Sequence, residues 1–367
     1  CKTFGTHKIP EGWIIVAAGN PPEYNKSVRE FDIVTLDRVR KISIQADTDV
    51  WLEYAGEKGI HGAILSYLSL KKENFYIVEN TVDGKFFVTA RGWEDLSEIL
   101  KSYEELQVEI GEELIGEFLQ KEEIARDFAG YYRLYEKYKS DYQIQEILDG
   151  NVISGQLKTC CDMGKKASFE ERFTVTEMLL EAVTERISVF QKIDEKTEKL
   201  YENLKLLKIF LQEKNSVEAM EQFVASRRKA LDAKICSELL TAEEAAREEE
   251  QIRILEEYFF QLKELHISDV AEGIEQIGER FGNVCRLRNE KLEETKKMLE
   301  QAFSFLEECF GEGQELLLFE TGLTGDDRCS IFISQYGCPS YFKHCELLLY
   351  SKKENELRKE CRDLLEE

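Results

Sequence analysis

IDEKTEKLYENLKLLKIFL, at residues 193–211, carries the pattern that decides the fold. Apolar side chains recur along it at the spacing of one helical face, at Ile193, Leu200, Leu204, Leu207 and Leu211. The stretch lies within residues 165–272, which contain neither glycine nor proline. A segment of this length without a helix breaker predicts helices much longer than those of an ordinary globular domain.

A second apolar stripe follows in IRILEEYFFQL, at residues 252–262, with Ile252, Leu255, Phe259 and Leu262 on one face. Two such stripes predict long antiparallel helices that pack like a coiled coil, in a domain spanning residues 151–300. The acidic run at residues 243–250 stands just before the second stripe. We expect it to form a solvated helix face, with a dedicated acidic binding surface as the alternative.

Upstream, residues 47–150 read as a helical domain that carries one β-hairpin. Two short apolar runs, at 75–78 and 86–88, flank Asp83 and Gly84, and an Asp-Gly pair tolerates the positive φ values of a tight hairpin turn. Five tyrosines then follow at helical spacing, which predicts packing against a neighbouring helix. They are Tyr131, Tyr132, Tyr135, Tyr138 and Tyr142.

A few short strands are predicted near the two ends of the chain. The continuous apolar run at 13–18 predicts a buried strand, and the alternation at 41–45 predicts a second one. Near the other end, the run at 316–319 predicts a strand, and Gly322 to Asp327 a turn. We therefore predict a mainly α protein with a small α/β part, divided into segments 1–46, 47–150, 151–300 and a small α+β module at 301–367.

Composition excludes several classes of protein. The net charge is −24, with 73 acidic against 49 basic residues, so nucleic acid is not expected as a partner. No run of about 18 apolar residues is present, so no membrane association is expected and a cytoplasmic location is predicted. The ten cysteines include no CxxC pair, which predicts reduced thiols. Cys160 and Cys161 are adjacent, which suits neither an ordinary disulfide nor two ligands of one zinc ion.

Few residues carry a recognisable catalytic pattern. The four histidines, His7, His61, His266 and His344, form no HExxH motif and accompany no nucleophile signature. Asp326 and Asp327 are interpreted as turn residues rather than as metal ligands. No metal site is predicted from these residues.

Two segments near the N-terminus, VAAGNPPEY at 16–24 and FDIVTLDRV at 31–39, carry a recognisable pattern. They resemble the second half of the ATPase core in the MoxR family of AAA+ proteins. By this resemblance Asn20 would be sensor 1, which holds the water that attacks the γ-phosphate of ATP. Arg38 would be the arginine finger, which reaches the nucleotide of the neighbouring subunit, and Arg29 is the alternative finger.

A third segment, VTARGWEDLS at 88–97, is similar to the sensor 2 motif of the same family. The resemblance implies that Arg91 contacts the phosphates of ATP bound to its own subunit. Segment 1–46 would then be a remnant of an αβα ATPase core, and segment 47–150 the helical lid. EECFGEGQE at 307–315 and FISQYG at 332–337 also resemble parts of MoxR-type ATPases.

The sequence departs from this family at the nucleotide itself. It contains no GxxxxGK[ST] loop for the phosphates and no strand ending in paired acidic residues for Mg²⁺. We therefore expect ATP and Mg²⁺ to be bound by a full-length protein that is truncated here at Cys1, and not by this chain alone. The family implies a homo-oligomer, as a hexameric ring, and an adaptor with a von Willebrand factor A domain. It also implies chaperone-like remodelling of a protein client.

The alternative function is a non-enzymatic helical scaffold whose sensor-like residues are inherited. A DNA-binding regulator of the same superfamily is disfavoured because the chain is acidic and shows no helix-turn-helix pattern.

Overall fold

The structure is a computed structural model of the protein. The structure describes residues 37–80, 85–151, 154–214 and 216–345, together with 3–4, 7–8, 10, 12–14, 16–19 and 34 nearer the N-terminus. The chain divides into two compact units, Cys1–Asp47 and Thr48–Glu367.

In the first unit the described regular structure includes a very small sheet. Strand β1 (Thr3–Phe4) pairs antiparallel with strand β2 (His7–Lys8). The prediction of a buried strand at 13–18 is wrong, because its described residues form no strand and Ile14 is 84% exposed. The strand predicted at 41–45 is also wrong, since these residues are irregular and Ile44 is 93% exposed. A strand is stable only as part of a β ladder, and the described residues of these two segments belong to none.

The second unit is mainly helical. Its first part contains α1 (Thr48–Lys58), α2 (Gly62–Leu70), a 3₁₀ turn (Lys72–Asn74), β3 (Ile77–Asn80), β4 (Lys85–Val88), α3 (Ala90–Glu105), α4 (Glu112–Phe118), α5 (Glu122–Tyr142), α6 (Ile144–Asp149) and α7 (Ser154–Gly164). It continues with α8 (Phe169–Lys214), α9 (Ala219–Cys236), α10 (Ala242–Glu264), α11 (Val270–Phe310), α12 (Gln314–Gly325), α13 (Asp327–Tyr336) and α14 (Pro339–Cys345). The predicted fold class, mainly α with a small β part, is therefore confirmed at the level of secondary-structure content.

The predicted hairpin is confirmed. β3 and β4 pair antiparallel, with Ile77 opposite Val88 and Asn80 opposite Lys85. The Asp-Gly pair of the turn lies outside the described residues. Val88 is fully buried and Ile77 packs beside it, so one face of the hairpin covers the helices.

The long helix predicted from the first apolar stripe is confirmed, because Ile193 to Leu211 lie on α8, which has 46 residues. The second stripe lies on α10, which has 23 residues, and the helix that runs antiparallel to α8 is the 41-residue α11, on which neither stripe lies. Along their contact, Asp194 bonds Arg288 and, further along α8, Tyr201 stacks on Phe281 with the ring centroids 6.0 Å apart. Residue numbers rise along one helix as they fall along the other, so the two helices are antiparallel.

Two hydrophobic cores stabilise this unit. The main core extends in sequence from Trp51 to Cys338 and draws on residues from all three predicted segments after 46. Tyr132, Tyr135 and Tyr142 are buried in it, as their spacing predicts. The second core lies in what we call the distal bundle, formed by the C-terminal part of α8, by α9 and α10, and by the N-terminal part of α11. α8 and α11 contribute to both cores, so they connect the two.

The C-terminal region differs from its prediction. Residues 316–319 lie in helix α12 and not in a strand, because Leu316, Phe319 and Leu323 recur at helical spacing and all face the main core. A run of four apolar residues does not distinguish the two structures. The carboxylate of Asp326 caps α13 by accepting from the backbone N–H groups of Arg328 and Cys329, at 2.9 and 3.0 Å. The described part of this region is helical, and residues 346–367 lie outside the described residues, so the predicted α+β module at 301–367 stays a prediction without its strand at 316–319.

The acidic run at 243–250 is paired as well as solvated. Glu248 bonds Lys234 at 2.6 Å, Glu249 bonds Arg228 at 3.0 Å and Glu250 bonds Lys196 at 2.6 Å. These cations belong to α9 and α8. The run therefore orients α10 against its neighbours, although half-exposed ion pairs add little stability individually.

None of the described helices combines the length and the apolarity that a bilayer span requires.

Candidate functional site at the start of helix α3

The predicted sensor 2 segment forms the junction between the hairpin and helix α3. β4 ends at Val88, and Thr89 is the N-cap of α3, where its hydroxyl accepts from the backbone N–H of Gly92 at 3.3 Å. Threonine stabilises a helix start because it pairs an N–H that has no partner within the helix. The local sequence therefore fixes where α3 begins.

Arg91 is the second residue of α3, and its side chain is exposed. Its guanidinium forms no hydrogen bond or ion pair with any residue that the structure describes. The first backbone N–H groups of a helix point in the direction of its start and favour negative charge there. An unpaired guanidinium on that turn adds a cation to the same place.

The residues that follow Arg91 hold the turn in place. A Cβ on Gly92 would stand 2.8 Å from the backbone carbonyl oxygen of Phe118, so only glycine permits this close approach of α4. Trp93 is fully buried and its indole N–H donates to the carbonyl of Phe75 at 3.1 Å. The inner side of the start of α3 is therefore closely packed, and its outer side is exposed to solvent.

The other predicted site residues belong to the first unit. Asn20 and Arg29 lie outside the described residues. Arg38 is described, in an exposed turn. Arg38 and Arg91 belong to different units, and the other two residues are not described, so the predicted convergence on one phosphate is untested and stays a prediction.

A buried polar cluster, which the sequence analysis did not predict, ties α3 to its neighbours. The Nδ1 atom of His61 accepts from the backbone of Ala63 at 3.1 Å and caps α2, so the ring proton is on Nε2, 2.9 Å from the carboxylate of Glu104. Tyr132 donates to the same carboxylate oxygen at 2.8 Å, and Lys139 bonds the other oxygen at 3.1 Å. The C-terminal end of α3 is therefore attached to α2 and α5.

The charge state of Glu104 follows from these contacts. Burial alone would raise its pKa, but the hydrogen bonds from His61 and Tyr132 and the positive charge of Lys139 outweigh burial and lower the pKa to about 2. The carboxylate is therefore ionised, with donors on both oxygens. Such a group positions helices and is not poised to accept a proton.

Two further carboxyl groups lie on α8 nearby. Tyr135 donates to Glu181 at 3.1 Å, above Gly62, where a side chain would collide with Glu181. Burial raises the pKa of Glu181, and burial with the neighbouring Glu181 charge raises the pKa of Glu177 to about 7. This group links α2, α5 and α8.

Glu104 and Glu177 should respond to pH with opposite signs. Because the folded pKa of Glu104 lies below its ordinary value of 4.5, its contribution to stability is complete above pH 4.5 and is lost as the pH falls through about 2. The folded pKa of Glu177 lies above 4.5, so ionising it costs stability increasingly from pH 4.5 to about 7.

We expect Glu104→Gln to lower the free energy of unfolding by about 1–2 kcal/mol at pH 7 and by much less at pH 3. Glu177→Gln should raise it by about 1 kcal/mol at pH 8 and change it little at pH 4. Urea denaturation followed by circular dichroism at four pH values measures both. Equal pH profiles for the two variants would contradict these assignments.

No described set of three or more histidine, cysteine, aspartate or glutamate side chains is arranged to hold a metal ion. The buried cluster also contains no nucleophile beside a base. The cluster holds α2 and α5 against α3. Arg91 is the exposed side chain of this region that could bind a ligand.

No family model matches the sequence, and no curated protein or solved structure is detectably similar to it. The fold and the site therefore define a mainly helical protein with a small antiparallel sheet and an exposed arginine at the capped start of a helix.

Proposed function

We propose that this chain is the C-terminal part of a MoxR-like AAA+ ATPase, comprising a remnant of the ATPase core, the lid and the helical part, and that the full-length protein couples ATP hydrolysis to the remodelling of a protein client. The observation that supports this function best is the position of Arg91, exposed and unpaired on the first turn of α3, in the segment that resembles sensor 2. A guanidinium at a helix start is suited to phosphate oxygens, which accept its fixed donors and the backbone N–H groups together.

The contacts between α3 and its neighbouring helices would transmit the effect of phosphate binding at Arg91. α3 is attached through Glu104 to His61 and Tyr132, and α5 is attached through Tyr135 to Glu181 on α8. A displacement of α3 when ATP becomes ADP would therefore move α8 as well. At 1.5 Å per residue, the 46 residues of α8 extend about 70 Å, which carries a small movement at the lid into the distal bundle.

The remaining roles in the proposal come from the family resemblance. Asn20 would orient the attacking water, and Arg38, or Arg29 instead, would stabilise the transition state in the neighbouring subunit of a hexameric homo-oligomer. ATP and Mg²⁺ would be held by a phosphate-binding loop and an acidic strand. This sequence contains neither, so both would belong to another segment of the full-length protein. An adaptor with a von Willebrand factor A domain would present the client, and the charge of −24 favours a client with basic patches.

Arg91→Ala in the full-length protein tests the assignment. We expect the Kd for a fluorescent ATP analogue to rise about tenfold, because one charge-assisted contact to phosphate is lost. Arg91→Lys should recover part of the affinity. Arg133→Ala is the matched control, since Arg133 is an exposed arginine on α5 that donates to the carbonyl of Ala129 in its own helix. An unchanged Kd in Arg91→Ala would contradict the role of Arg91 as a phosphate contact.

A non-enzymatic scaffold is the second candidate, favoured by the distal bundle. Its own core, including Leu207, Leu211, Val224 and Leu255, and the ion pairs across α9 and α10 are what a helical binding module requires. A scaffold predicts partner binding that is the same with ATP, with ADP and without nucleotide. An ATP-driven machine predicts that the affinity changes between these states.

A further inference from the structure

Two cysteine thiols meet inside the second unit. Cys161, near the end of α7, and Cys309, in the last turn of α11, are 5% and 1% exposed. Their sulfur atoms are 2.6 Å apart, and both residues are free cysteines. In sequence they are separated by 148 residues, so the fold alone brings them together.

The backbone around the pair is closely packed. A Cβ on Gly164 would stand 2.9 Å from the ring of Phe310 and 3.6 Å from the Cβ of Cys309. Glycine at 164 therefore lets the last turn of α7 lie directly on the end of α11. This approach keeps the two sulfurs in contact.

The neighbouring Cys160 has a different environment. Its sulfur lies 3.7 Å from the carbonyl oxygen of Asp141 and 3.9 Å from that of Tyr142, at the end of α5. The adjacent cysteines that the sequence could not explain therefore point at two different helices. Cys161 is the one that contacts Cys309.

We propose that Cys161 and Cys309 form a redox-modification site, which a small-molecule disulfide such as oxidised glutathione converts to an intramolecular disulfide. The thiolate of Cys161 attacks one sulfur of the reagent, forming a mixed disulfide and releasing one glutathione thiol. The thiolate of Cys309 then attacks the Cys161 sulfur and releases the second. Two protein thiols are oxidised, one disulfide is reduced, and the two protons leave with the two glutathione thiols.

The position of the cross-link gives it a structural effect. α8, α9, α10 and most of α11 lie between the two cysteines in sequence, so the disulfide closes the chain around the whole distal bundle. Closing so long a loop restricts the unfolded chain strongly and stabilises the folded state. Burial raises the pKa of both thiols, so we expect oxidation to take hours and to follow local opening of α7.

The test treats the reduced 367-residue chain with oxidised glutathione for a day, followed by non-reducing digestion and mass spectrometry. We expect a peptide pair joining 161 to 309, with a Tm about 5 °C or more above that of the reduced protein. Both should persist in Cys160→Ser and disappear in Cys161→Ser and Cys309→Ser. Cys329→Ser, at a buried cysteine bonded to Thr184, is the matched control and should behave as the wild type.

The peptide analysis of the wild-type chain needs no variant, so a variant that fails to fold does not obscure the result. Recovery of only a glutathione adduct, of a 160–309 link, or of mixed links through the exposed Cys236 would overturn the proposal. So would a 161–309 link that leaves the Tm unchanged. None of these outcomes depends on ATPase activity.

Discussion

Trp93→Ala should lower the free energy of unfolding of the second unit by about 5 kcal/mol. Truncating a buried tryptophan costs roughly 3–5 kcal/mol through lost burial and the cavity that remains. Trp93 is fully buried, and its ring lies 5.3 Å from that of Phe128 and 5.8 Å from that of Tyr67. The change also leaves the carbonyl of Phe75 without its donor, which adds about 1 kcal/mol.

Urea denaturation followed by circular dichroism at 222 nm measures this loss without relying on tryptophan fluorescence. Trp93→Phe keeps an aromatic ring and removes the N–H donor, so we expect less than half the effect. Phe260→Ala is the exposed control in the same unit, since Phe260 is 61% exposed, and should change stability by about 0.5 kcal/mol or less. A loss below about 2 kcal/mol in Trp93→Ala would mean that α3 is not anchored as described.

Arg38→Ala should reduce ATP turnover by the full-length oligomer by about 10³-fold or more, while nucleotide binding is retained. An arginine finger stabilises charge that develops on the transferring phosphoryl group, and removing one costs 10³–10⁵ in rate. Arg38 lies in an exposed turn. The prediction follows from the family resemblance.

The control for this experiment is Arg40→Ala, two residues further along in the same exposed stretch. Mixing Arg38→Ala subunits with wild-type subunits should restore part of the turnover, because the proposed finger would act on the nucleotide of the neighbouring subunit. Undiminished turnover in Arg38→Ala, with a loss in Arg29→Ala, would transfer the role to Arg29. No effect in either variant would remove the finger from this chain.

The elements that the sequence predicted correctly depend on local patterns. The stripe through Leu200, Leu207 and Leu211 repeats often enough to define a helix, and the hairpin is marked by two short apolar runs around an Asp-Gly pair. The strands predicted at 13–18, 41–45 and 316–319 are wrong because each rests on four to six residues. Runs that short do not specify whether a pairing partner or a helical neighbour will be present.

The candidate site divides in the same way. The position of Arg91 at a helix start could be predicted, because Thr89 and the preceding strand are neighbours in sequence. The cluster that anchors the helix could not, since His61 and Glu104 are 43 residues apart and Tyr135 and Glu181 are 46 apart. The Cys161–Cys309 contact, across 148 residues, had no local signal apart from the unexplained cysteine pair at 160 and 161.

The wild-type arm of the Arg38 assay tests the central proposal most directly. It measures the Mg²⁺-dependent conversion of ATP to ADP by the full-length, oligomeric protein at saturating ATP. The proposed function predicts turnover on the order of 1 s⁻¹, within the usual range of enzymes. Oligomer that neither binds nor hydrolyses ATP in the presence of Mg²⁺ would contradict the ATPase assignment.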